Sequence, residues 1–390
     1  MQDIIVANAR YCLRRLQSAV GKGQTHDHHL LESTARALEA LVSVPDETPL
    51  LVELVKKVHP HMARAGRWAE WADFLRYLLK RLDGDAETTL LMELGSIQRR
   101  QHNVDAAVQT YQRVLEISQA QQDQQVQAVA LSNLGNLYRI QGMYPEGERA
   151  CQQALRLFDA VGDRRRHAYT LNNLGLINSE RREFDDAETQ FNGALAAFVE
   201  LDDRQGQAYV LLNLGRLHRR QGAQDKACET YHTALEHYEA LKDRLHAATT
   251  ELNLGNLYRQ MGELRRAEAL TLRAEASYKY LEDEFGLARA RHNLGMIYTE
   301  HGEWTEALRC FNWARQYWQA RDDRWNQANT FSELADLHIR RGHWFKAQTC
   351  LADARALIEN HEGARFDALR SELDEHQQRI SPPPDPHTRR

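Results

Sequence analysis

The chain has no run of eighteen apolar residues, so nothing in it has the reach of a membrane-spanning helix. It has no basic excess either. Its 50 Lys and Arg stand against 55 Asp and Glu, a net charge of -5, whereas a general nucleic-acid binder carries surplus cations. Proline is scarce, 8 in 390 residues, which leaves long stretches free to be helical. The five cysteines, Cys12, Cys151, Cys228, Cys310 and Cys350, show no paired spacing; they predict reduced thiols packed as small apolar side chains, and with them a cytoplasmic setting. Arg10, Arg14 and Arg15 interrupt the apolar N-terminal stretch, which is not a signal peptide.

Chemistry is missing as well. No nucleophile set, phosphate-cradling loop or metal-ligand spacing stands out. His26, Asp27, His28 and His29 are contiguous, so their side chains project in different directions and predict a solvated loop. His59 and His61 flank Pro60 and predict a helix end. Asp185-Asp186, Asp202-Asp203 and Asp322-Asp323 fall where helices start, and capping explains them. Catalysis is therefore not the expected role, and neither a cofactor nor a metal is expected.

What is present is a period. Leu94, Leu134, Leu174, Leu214, Leu254, Leu294 and Leu334 stand forty residues apart, and six of the seven are followed by Gly. Asp83 and its counterparts through Asp323 keep the register eleven residues before each Leu, as do Ala128 through Ala328 six before it. A sustained period of this length means a stacked repeat, running here from about 83 to 362 in seven units. Each unit predicts two helices: residues 163–180 place Ala168, Leu171, Leu174, Gly175 and Asn178 on one face with Asp163 as N-cap, and Phe184–Leu201 returns antiparallel. Pro145 falls in the first turn of a second helix, where it does no harm. Glycine inside a helix costs about 1 kcal/mol against alanine. Gly175 and Gly215, facing Ala187 and Ala227, therefore predict two helices in near backbone contact.

These columns carry a family resemblance. Leu134, Gly135, Tyr138, Gly142 and Ala154, and again Leu294, Gly295, Tyr298, Gly302, Ala307, Phe311 and Ala314, resemble the tetratricopeptide repeat in its long-helix form, similar to the repeats of kinesin light chain, Rap-type peptide-sensing regulators and bacterial signalling-ATPase sensor arrays. The resemblance implies an all-α, right-handed α-solenoid superhelix of antiparallel pairs. It speaks weakly to function, because one scaffold hosts many partners.

Outside the array the texture changes. Residues 3–20, 28–43, 48–63 and 67–82 predict four helices, 1–47 as an N-terminal cap and 48–82 as a degenerate pair; 363–380 predicts a closing helix, and 381–390 (SPPPDPHTRR) a disordered tail.

Residues that repeat without a packing need are the candidate site. Asn133, Asn173, Asn213, Asn253 and Asn293 precede the Leu in five units, with Asn136, Leu176, Arg216, Asn256 and Met296 three further on, and Arg99, Arg139, Arg219 and Arg259 five after the Leu. Such positions share one face of a first helix, and first helices line the concave wall of a superhelix. Amides offer both donor and acceptor to a peptide backbone, and guanidinium groups favour carboxylates or phosphates. The resemblance implies the same: in peptide-binding members, asparagines at the matching position grip ligand backbone. Inter-repeat hydrogen bonding is the competing account of the amides, and the helix dipole that of the arginines. Trp304, Trp318 and Trp344 fill aromatic core columns, but the counterparts of Trp313 are polar, which makes it a candidate partner anchor.

The leading expectation is a non-enzymatic scaffold or adaptor that captures an extended, acidic segment of a protein partner. The alternative is a Rap-like regulator whose N-terminal helices act on a client while the array senses a peptide. RNA binding through the arginines is disfavoured by the net charge.

Overall fold

The computed structural model describes residues 2–20, 28–64, 68–82, 85–101, 103–361 and 363–380. Gly21 to Gly23, His26 and Asp27, the Ala65-Gly66 turn, Asp83 and the 381–390 tail lie outside the described residues, so the expectations placed on them have no structural counterpart. Among the described residues there are nineteen α-helices and no strand. Consecutive antiparallel pairs make the chain an all-α solenoid of helical repeats, in two compact units, residues 1–197 and 198–390.

In the first unit, α1 (Gln2–Val20), α2 (His28–Leu41), α3 (Thr48–Arg64), α4 (Trp68–Leu79) and α5 (Asp85–Arg100) share one core built on Leu16, Leu38, Leu54, Trp71, Leu75 and Leu94. His59 and His61 sit inside α3 and do not mark its end: Pro60 is tolerated four residues before the terminus, and His59 lies 3.0 Å from the Glu93 carboxylate. The regular pairs follow as α6 (Val104–Ala120) and α7 (Gln124–Ile140), α8 (Tyr144–Val161) and α9 (Arg164–Glu180), then α10 (Phe184–Glu200), within which the unit boundary falls.

The second unit runs through α11 (Arg204–Arg220), α12 (Gln224–Ala240), α13 (Arg244–Gln260), α14 (Leu264–Tyr280), α15 (Glu284–His301), α16 (Trp304–Gln319), α17 (Arg324–Arg340) and α18 (Trp344–Ile358), and ends on α19 (Ala364–Arg379). Phe366, Leu369 and Leu373 of α19 close the core against Leu351, Ala354 and Ile358.

The aspartate column works as the N-cap of every first helix from α7 on. Asp163 accepts from Arg166 N at 3.0 Å, and Asp203, Asp243, Asp283 and Asp323 repeat the bond. Satisfying one free N–H at the positive end of the helix is worth about 1 kcal/mol.

The mid-helix glycines are filled differently from the sequence expectation. A Cβ on Gly175 would stand 2.8 Å from Phe191 Cε1, and one on Gly215 would stand 2.5 Å from Tyr231 Cδ1. The space holds an aromatic ring from the second helix, so the glycine is needed to seat a ring. Backbone contact does occur where the second helix carries a small residue: at Gly135 the added Cβ would stand 3.1 Å from Gly147 O.

All five cysteines are free; Cys12, Cys151 and Cys310 are buried, and burial pushes the Cys151 thiol up to about 12. Trp318 is fully buried as expected, but Trp344 is 40% exposed, because the last pair has no further repeat to cover that column.

Candidate functional site

The candidate residues lie on the first helices, and the structure shows how those helices are knitted. Side chains bridge several first helices to the next: in the first unit Ser132 Oγ and Thr170 Oγ1 are 2.8 Å apart, and Asn173 Nδ2 reaches Ser132 O and Oγ at 3.4 Å. In the second unit the Arg259 guanidinium meets the Glu300 carboxylate, His292 Nδ1 lies 3.2 Å from Thr330 Oγ1, and Ser332 Oγ donates to Glu372 at 2.7 Å. Polar first-helix positions therefore serve the stack as well as any ligand.

The amide column is not uniform. Asn133 spends its Nδ2 on Val129 O of its own helix at 2.9 Å. Asn213 is only 3% exposed, so its amide is withdrawn from the surface that the sequence pattern assigned to it. Asn173 and Asn293 are half-buried. Asn253 is half-buried and its Nδ2 is enclosed without a hydrogen-bond partner. Asn136 and Asn256 accept from Arg139 and Arg259 on the same helix, at 3.1 Å and 3.4 Å.

The arginine column divides in two. Arg139 and Arg259 are each held by a carboxylate of the following first helix, Glu180 and Glu300 respectively. These pairs neutralise the charge that was expected to attract an acidic ligand. Arg219 holds the same place, but the residue 41 positions on is Gln260, and Arg219 makes no ion pair among the described residues. Arg216, one turn earlier, is likewise unpaired among the described residues, and burial together with the charges of Arg289 and Arg219 holds its guanidinium below its ordinary value.

Trp313 departs from the expected exposed anchor. It is half-buried, stacks on Tyr317 with ring centroids 6.0 Å apart, and carries the Arg291 guanidinium 4.1 Å from its centroid. Cation–π and stacking contacts already occupy the ring.

Several residues escaped the sequence reading. Arg289 stands five before its Leu, in a column otherwise of Thr, Val, Tyr, Tyr, Thr and Asn, and has no periodic signal of its own. Glu180 and Glu300 could have been found, since each follows its arginine by 41 positions. At the far end of the second unit Glu333 takes the asparagine place. Burial first, then the carboxylates of Glu372, Asp336 and Glu300, pushes its carboxyl up to about 8, with Arg259 opposing. Burial also drives His292 down to about 4, so it is neutral at physiological pH. Among the described residues no group of His, Cys, Asp and Glu is arranged to hold a metal ion, and no helix is long and apolar enough to cross a membrane.

Comparison with known proteins adds the following. Two family models described as tetratricopeptide repeat match, one over residues 126–200, 205–279 and 286–360 and the other over 90–125. No curated protein matches the sequence. The fold is similar to that of a Rap protein crystallised with Competence and Sporulation Factor, at 16% identity and a TM-score of 0.65, covering 96% of this chain and 100% of that one. It is also similar to aspartyl phosphate phosphatase F from Bacillus subtilis, at 11% identity and a TM-score of 0.59, covering 86% and 95%. A signal-transduction ATPase with a tetratricopeptide repeat sensor from Pyrococcus horikoshii matches at 15% identity and a TM-score of 0.58, covering 94% of this chain and 54% of that one.

Proposed function

Because this chain belongs to the tetratricopeptide repeat family, we propose that it is a protein-interaction scaffold whose first-helix wall holds an extended, acidic peptide segment of a partner. The observation that carries the reading is the enclosed and unpartnered Asn253 Nδ2 on the same wall as the unpaired Arg216 and Arg219. A buried amide donor without a partner costs on the order of 1–3 kcal/mol, and a peptide carbonyl drawn into the wall would recover that cost. Guanidinium groups beside it favour acidic side chains of the same segment. No catalytic role enters this reading.

Selection of a random dodecapeptide library on the full chain, followed by fluorescence anisotropy, tests it. Selected peptides are expected to be acid-rich and to lose at least tenfold in affinity with Asn253→Ala or Arg219→Gln, while stability changes by about 1 kcal/mol or less. Peptides that bind both variants as they bind the unaltered chain would falsify the wall as the site.

A second reading is a peptide-sensing regulator whose N-terminal helices act on a client. It is favoured by a likeness to the Rap protein that extends over 96% of this chain, N-terminal helices included. A change in small-angle scattering on adding a short free peptide supports it, and an unchanged profile with bound peptide removes it.

A further inference from the structure

One contact between a second helix and the first helix that follows it carries sulfur where other repeats carry charge. At two of the matching places a glutamate stands against a basic side chain: Glu148 meets Arg181 at 2.7 Å, and Glu268 meets His301 at 3.8 Å. In the repeat between, α12 supplies Cys228 and the C-cap of α13 is Met261, with Sγ and Sδ 3.9 Å apart. No other repeat has sulfur at either position.

His232 lies one turn along α12 from Cys228 and therefore shares its face. Its Nε2 is 3.1 Å from the hydroxyl of Tyr258 on α13, and the same phenol interacts with the Cys228 thiol, so one hydroxyl links thiol and imidazole. Cys228 and Met261 are half-buried and His232 is exposed, which leaves the group within reach of solvent.

Thiolate and thioether are soft ligands that select monovalent copper, and imidazole suits copper as well. Two sulfurs bound at about 2.3 Å to one trigonal ion stand about 4 Å apart. The observed separation of 3.9 Å already matches. Charge fits too, because a monovalent ion on a thiolate is neutral, and neither Cys228 nor Met261 brings the charges that Glu148 and Arg181 bring to their own repeat. A structural zinc ion asks for four ligands drawn from thiolate, imidazole and carboxylate, and among the described residues no three of His, Cys, Asp and Glu are so grouped. Methionine sulfur is the donor that completes a soft set here.

We propose that Cys228, Met261 and His232 form a binding site for a soft monovalent metal ion, Cu(I). The two sulfurs bind from their present places, and His232 turns its Nε2 from Tyr258 to the ion. The ion displaces the thiol proton, which leaves to solvent, and no electron is transferred. Bound metal then ties α12 to α13 and stabilises the chain by mass action. The site goes beyond the peptide-wall reading and does not rest on it.

Anaerobic titration of the reduced full chain against the coloured Cu(I) complex of bicinchoninate tests the site. One Cu(I) per chain is expected to leave the chelator, and X-ray absorption of the loaded chain is expected to show two sulfur neighbours and one nitrogen. Cys228→Ser is expected to abolish the transfer, and Met261→Leu and His232→Phe each to weaken it at least tenfold, while all three variants melt like the unaltered chain without copper. Cys350→Ser, at the other half-buried thiol, is expected to leave it unchanged. Copper retained by Cys228→Ser, or no copper withdrawn from the chelator, overturns the site. Binding insensitive to both Met261→Leu and His232→Phe also overturns it, since that outcome describes a lone thiol.

Discussion

The Arg139 guanidinium is held by the Glu180 carboxylate of the following first helix, while Asn136 of its own helix accepts from the same group at 3.1 Å and 3.0 Å. One residue predicted to greet a partner instead ties two repeats together. Glu180→Gln is expected to cost about 1 kcal/mol or less, since both side chains keep some solvent contact, and to leave Arg139 free. Urea melts check the first effect and pyrophosphate titration the second; a loss above about 3 kcal/mol would mean that the pair is structural in the manner of a fully buried one.

Glu333 makes stability depend on pH in an unusual direction. Its carboxyl is raised to about 8 in the folded chain, against about 4.3 when unfolded. Between those values the folded state holds the extra proton, so this group's contribution falls as pH rises and is fully lost above about 8. Glu333→Gln is thus expected to stabilise by on the order of 1 kcal/mol or more at pH 8 and far less at pH 5, read from urea midpoints. His292, lowered to about 4, acts in the opposite window: its contribution is lost as pH falls from about 6.5 towards 4. A gain for Glu333→Gln that is equal at both pH values would show that Glu333 is ionised in the folded chain.

Gly175→Ala places a methyl 2.8 Å from Phe191 Cε1. Alanine's better helix propensity is worth about 1 kcal/mol, and overpacking costs about 1–3 kcal/mol, so the net effect is a loss. Adding Phe191→Leu should recover part of it, a non-additive pair detectable in a double-mutant cycle. Strict additivity would mean that the ring does not rest on the glycine.

Lys242 holds a left-handed φ of 55° in the turn before α13, at a place where Gly162 stands before α9. The conformation costs a non-glycine residue about 1–2 kcal/mol, and greater unfolded-state freedom returns about 0.4–1 kcal/mol of that on mutation to glycine. Lys242→Gly is expected to raise stability by about 0.5 kcal/mol in thermal melts. Destabilisation would point to a role for the lysine stem in packing.

The repeat and its helix pairs were legible because they are local or strictly periodic. Asp163 caps because its carboxylate needs only the N–H three residues on, and the helices at 28–41 and 364–379 fall where turn residues and apolar spacing put them. That Phe191 and Tyr231 seat against Gly175 and Gly215 was not legible, because it depends on how two helices meet.

The candidate site was legible only as a list of columns. Arg139, Arg219 and Arg259 are indistinguishable along the chain, yet two are neutralised and one is not, because pairing is set by a residue 41 positions later on a neighbouring helix. Asn213 and Asn253 occupy the same column and differ in burial because the residues packed over them differ from repeat to repeat. A forty-residue period determines which side chains recur and which helical face they share, since both follow from short-range geometry. Which of those side chains keeps a free charge or an unspent hydrogen bond was decided only by the stacking of one repeat on the next, because Coulomb attraction and desolvation act across space between residues that the chain keeps far apart.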